Sequence, residues 1–124
     1  MALSLQVKGE LERIIVDYIY SWKKIRRLAK SVGVEIPDEL RDKNEAASLI
    51  TQFGKDDKDL ITLTLEYAKK GLWDGDYFQK AKEALNIPLR KTMNLEVNDD
   101  GELVSFETFG IRRSRRRDRI LLCL

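Results

Sequence analysis

The strongest constraint in this sequence is a stripe of apolar residues, Leu11, Ile14, Ile15, Tyr18, Ile19, Trp22, Ile25, Leu28 and Val32. Their 3.6-residue recurrence is that of one helix face, and a face this long must lie against other elements to leave water. The opposite face carries Glu12, Arg13, Asp17, Lys23, Lys24, Arg27 and Lys30, and its second half is almost wholly cationic. Gly33 stands where a left-handed C-terminal cap belongs, so the pattern predicts a helix from Leu11 that ends there. Ahead of it, Leu3, Leu5 and Val7 alternate like a strand, although the segment leans toward helix.

Further helices are expected downstream. Val34-Glu35-Ile36-Pro37 is extended, because a residue before proline is pushed out of the helical region. Asp42 or Asn44 then caps a helix over Glu45 to Phe53, stopped by Gly54. Asp56 or Asp57 opens a third, with Ile61, Leu65 and Ala68 as its stripe and Gly71 beyond its end. Asp74 or Asp76 opens a fourth, which contains Phe78, Ala81 and Leu85 and closes before Ile87-Pro88.

After Pro88 the period changes from 3.6 to 2. Met93 to Val97 and Glu102 to Phe109 alternate around Asn98-Asp99-Asp100-Gly101, which predicts a β-hairpin. Two strands alone are marginal in water, so Leu95 and Val97 with Val104 and Phe106, or with Leu103, must pack on the helices or meet a third strand, for which Ile120-Leu121-Leu122 is a candidate. The expected fold is thus α+β and mainly α: about four helices, a hairpin and a basic C-terminal segment. Residues 1–111 form one domain in this reading and 112–124 an Arg-rich segment, since 124 residues suffice for a single core.

Charge is distributed unevenly. Residues 112–119 hold six arginines (Arg112, Arg113, Arg115, Arg116, Arg117 and Arg119) and one aspartate, or +5, leaving 17 cations against 20 anions, or −3, in the other 116 residues. Guanidinium groups bind phosphate through paired N–H donors and release counterions as they do so, which makes nucleic acid, DNA or RNA, the natural partner. The cationic end of the first helix, Lys24, Arg26, Arg27 and Lys30, is a second candidate contact, although cations there also complement the helix dipole without any ligand.

Lys24-Ile25-Arg26-Arg27-Leu28-Ala29-Lys30, Gly33-Val34-Glu35-Ile36-Pro37-Asp38-Glu39-Leu40 and Asn44-Glu45-Ala46-Ala47-Ser48-Leu49-Ile50 together resemble the helix-extended-loop-helix module related to SAP motifs, found in phage and recombination-associated proteins. The resemblance covers residues 24–50, about a quarter of the chain. It implies DNA binding by the basic helix, with Lys24, Arg26, Arg27 and Lys30 as the positions carried over.

Catalytic chemistry finds little support. The chain has no histidine, no Gly-rich phosphate loop and one cysteine, Cys123. The aspartates at 56, 57 and 59 and at 74 and 76 read as helix caps rather than as a magnesium site, so no cofactor and no metal are expected. A lone thiol and the lack of a long apolar run predict a cytoplasmic protein with no membrane association. The function expected is that of a non-catalytic, nucleic-acid-associated accessory protein. The rival is a protein-protein adaptor or homo-oligomeric assembly subunit, with Tyr18, Tyr20, Trp22 and Trp73 as aromatic anchors.

Overall fold

The computed structural model describes residues 3–54, 57–71 and 76–106. Over these described residues it is mainly helical, with five helices, α1 (Leu5–Tyr18), α2 (Trp22–Ser31), α3 (Lys43–Phe53), α4 (Asp57–Gly71) and α5 (Asp76–Met93), and a two-stranded antiparallel sheet of β1 (Leu95–Val97) and β2 (Leu103–Ser105). The Arg-rich stretch 112–119, the candidate third strand Ile120-Leu121-Leu122, the helix starts at Asp56 and Asp74, and Trp73 lie outside the described residues.

The segment leaning toward helix is one. Ser4 caps α1 by accepting the Val7 N–H, and its hydroxyl lies 2.8 Å from that of Thr92 in α5. Val7, Leu11, Ile14 and Ile15 are buried, and α1 packs against α3, α4 and α5 at once, so the core forms around it.

The apolar stripe from Leu11 to Val32 is divided between two helices rather than carried by one. Ile19 and Ser21 are extended, the Ser21 carbonyl accepts the amides of Lys24 and Ile25 to start α2, and Lys43 Nζ donates to the Tyr20 carbonyl freed at the break. Size explains the division. A straight helix from Leu5 to Ser31 would be roughly 40 Å long, more than a compact domain of this size is wide. Breaking at Ile19 to Ser21 folds α2 back over α4 and α3, and Ile19 stays fully buried. Periodicity persists across the break because both helices face the same core.

At the end of α2, Gly33 has φ 82°, with Gly33 N–H bonded to the Lys30 carbonyl and Val34 N–H to that of Ala29. This pair of bonds is the left-handed cap expected of glycine there. Val34 and Ile36 then face inward and Glu35 and Pro37 outward, the alternation of an extended chain. Asp42 caps α3 through the Asn44 N–H at 2.9 Å, and Gly54 ends it. Tyr20 touches Lys43 at the start of α3, and Gly54 lies against Val32 at its end, so α2 and α3 run in the same sense.

Helix α5 does not close before Pro88 but continues to Met93. Its tertiary contacts outweigh the hydrogen bond that proline removes. Leu85 and Leu89 are fully buried on either side, and three successive turns of α5 hold the hairpin. Arg90 pairs with Glu96 at 2.8 Å, Asn86 bonds both main-chain groups of Val97 at 2.7 and 3.1 Å, and Lys82 meets Asp99 at 2.6 Å. Asn94, at φ 54°, turns the chain from α5 into β1. The register pairs Val97 with Leu103 and Glu96 with Val104. Of the two pairings open to the hairpin, Val97 with Leu103 faces the core, and Val104 lies on the other side.

Candidate nucleic-acid interface

Helix α2 contains five cations, Lys23, Lys24, Arg26, Arg27 and Lys30, and no acidic residue. Its core side is fixed by Ile25, Leu28 and Ala29. The cations must therefore occupy the flanks and the outer face, and their height around the helix decides what each one does.

Two of them are spent inside the fold. Lys24, on the flank toward α4, donates from Nζ to the Lys70 carbonyl at 2.7 Å, in the last turn of that helix. A cation there satisfies an otherwise free carbonyl and complements the helix dipole. Arg26, on the opposite flank, donates to the carbonyls of Ile36, Pro37 and Asp38 at 3.1 to 3.3 Å and lies 3.8 Å from the Asp38 carboxylate and 5.4 Å from the Trp22 ring centre. Its five-donor fork suits it to gathering several carbonyls, and it clips the extended segment to α2.

Arg27 and Lys30 remain on the exposed face together with Lys23. Spacing i, i+4, i+7 sets the three in one line along roughly 10 Å of helix. Among the described residues, the ion pairs engage Arg13, Arg26, Lys70, Lys82 and Arg90, and none involves Lys23, Arg27 or Lys30. The structure thus separates four cations that the sequence grouped, and adds Lys23 to the outward pair. The i, i+4, i+7 spacing was a visible signal for Lys23, but only with the core direction known does that line point to solvent.

A cleft of about 660 Å³ lies between α4, the first turns of α5 and the hairpin turn. Lys69 and Lys70 line it, but so do Glu66, Asp99 and Asp100, and these carboxylates oppose a phosphate. Asp99 is held below the usual carboxylate range, first by its hydrogen bond from Lys82 and then by that residue's charge. Among the described residues no group of three carboxylate or thiol side chains is placed to hold a metal ion, and no helix is long and apolar enough to cross a membrane. Compared with protein-family models, with curated proteins and with solved structures, the chain matches none.

Proposed function

We propose that this protein binds the phosphate backbone of nucleic acid without catalysis, as an accessory protein, using the line Lys23, Arg27 and Lys30 on α2 together with the arginines of 112–119. The observation that carries the reading is the unopposed charge of that line: three exposed cations in register, on a helix without a single acidic residue. A surface evolved only for solubility intersperses both signs. Displaced counterions make such a line favourable against any polyanion of regular spacing, and its indifference to base sequence suits an accessory role. Helix, loop and helix follow one another over α2, residues 34–42 and α3, the order that the resemblance to the SAP-related module implies, and the partner in this reading is DNA or RNA.

The test is a titration with single- and double-stranded oligonucleotides at several salt concentrations. Changing Lys23, Arg27 and Lys30 together to Gln keeps helix propensity and length of side chain. Affinity should fall alike for unrelated sequences, and the slope of log affinity against log salt should flatten by roughly 3 units on duplex DNA. Arg26→Gln, by contrast, should lower stability and leave the slope nearly unchanged, because its fork is already occupied. An unchanged affinity and slope in the folded triple variant overturns the proposal.

A further inference from the structure

The two edges of the small sheet are treated differently. In the hairpin, Glu96 and Val104 turn their main-chain groups toward each other, so Leu95 and Val97 point theirs out from β1 while Leu103 and Ser105 point theirs out from β2. On the β1 side the carboxamide of Asn86 accepts the Val97 N–H and donates to the Val97 carbonyl, standing in for the next strand. On the β2 side the N–H and C=O groups of Leu103 and Ser105 have no hydrogen-bond partner among the described residues. Native sheets commonly protect such an edge with a proline, a bulge or an inward charge, and Leu103-Val104-Ser105 contains none of these.

We infer that this edge pairs with the same edge of a second copy, antiparallel, about a twofold axis through Val104. Self-complementarity selects that occupant. With Val104 on the axis, Leu103 of one copy faces Ser105 of the other, and each such pair exchanges both of its N–H and C=O groups, so every outward group of the strand is used. The charges agree with this register. Glu102 of the second copy arrives opposite Phe106, whose ring carries the Arg90 guanidinium at 4.9 Å on the same face of the hairpin. Arg90 is already paired with Glu96 at 2.8 Å, so the exposed carboxylate arrives beside an ion pair, and no like charges face each other directly across the axis. The pairing also converts two strands, marginal alone, into a four-stranded sheet.

Sedimentation velocity across a concentration series, on the full chain, tests this. The parent should shift from monomer to dimer with rising concentration. Ser105→Pro removes the outward N–H but no bond of the hairpin, and proline is tolerated on an edge strand facing that way. It should weaken association by about tenfold or more, whereas Ser105→Ala should leave it unchanged, since only the main chain is used. Amide hydrogen exchange on the parent supplies a readout that needs no variant to fold: Leu103 and Ser105 should gain protection as concentration rises, while Val104 and Phe106, already bonded to β1 and Asn94, should not change. A parent that stays monomeric, a folded Ser105→Pro that associates as the parent does, or a dimer whose Leu103 and Ser105 amides exchange as in the monomer overturns the inference.

Discussion

Thr64 is fully buried in α4, and its hydroxyl has no hydrogen-bond partner among the described residues. Other helical hydroxyls here fold back on their own helix: Ser31 onto the Arg27 carbonyl at 2.9 Å and Thr92 onto that of Pro88 at 2.7 Å. An unmet buried hydroxyl costs about 1–3 kcal/mol, so Thr64→Val should raise stability by roughly 1 kcal/mol with an unchanged denaturant slope. Urea unfolding monitored by circular dichroism measures it, and equal or lower stability would show that the hydroxyl has a partner. The same scale shows why residue identity alone did not sort the cations of α2. Lys24 and Arg27 sit three positions apart in one basic run, yet one is tied to the end of α4 and the other faces solvent. The two side chains lie only about 60° apart around the helix, and the sequence shows rotation only relative to a core whose location is a tertiary fact.

Two glycines in helical settings have opposite expectations at the scale of the element. Gly9 lies inside α1 with open space where a Cβ would go, so Gly9→Ala should stabilise by about 0.5–1 kcal/mol through helix propensity alone. At Gly54 a Cβ would lie 2.6 Å from the Ile50 carbonyl oxygen and 3.3 Å from Val32, where α3 ends against α2. Gly54→Ala should therefore destabilise by about 1–3 kcal/mol, and parallel thermal or urea melts of the two variants should move in opposite directions. The hairpin adds a dependence on pH. Because the Asp99 pKa is lowered in the folded state by Lys82, its contribution is fully present above the ordinary aspartate pKa of about 3.9 and is lost as pH falls through the lowered value. Melting temperatures of the parent and of Asp99→Asn should differ at neutral pH and converge as the solution is acidified through that range, and a constant gap would disprove the role of the pair.

At the scale of the whole molecule two dense runs of cations stand out, one on α2 and one in residues 112–119. If both contact duplex DNA, nine cations give a salt slope of roughly −8, to which the six arginines contribute about 5 and the α2 line about 3. A chain ending at Ile111 should then retain a slope near −3, and removing the α2 line from that shortened chain should abolish it. Fluorescence anisotropy with labelled duplex measures all three, and a shortened chain that keeps the full slope would move the contacts elsewhere.

Sequence alone determined the features set by local energetics. The helix-then-hairpin order, the cap at Gly33, the stop at Gly54, a cap at Asp42 or Asn44 and the turn over Asn98 to Gly101 each depend on the conformational preferences of a few neighbouring residues, and those are written in the chain. Tertiary structure decided the rest. It broke the Leu11 to Val32 stripe at Ile19 to Ser21, because a helix longer than the domain cannot bury its far end, and it carried α5 through Pro88, because Arg90, Asn86 and Lys82 hold the hairpin on three successive turns. It also divided the α2 cations into fasteners and a free line. Periodicity states which residues share a face and is silent on what that face meets, and the energy that settles the matter comes from groups brought close only by folding.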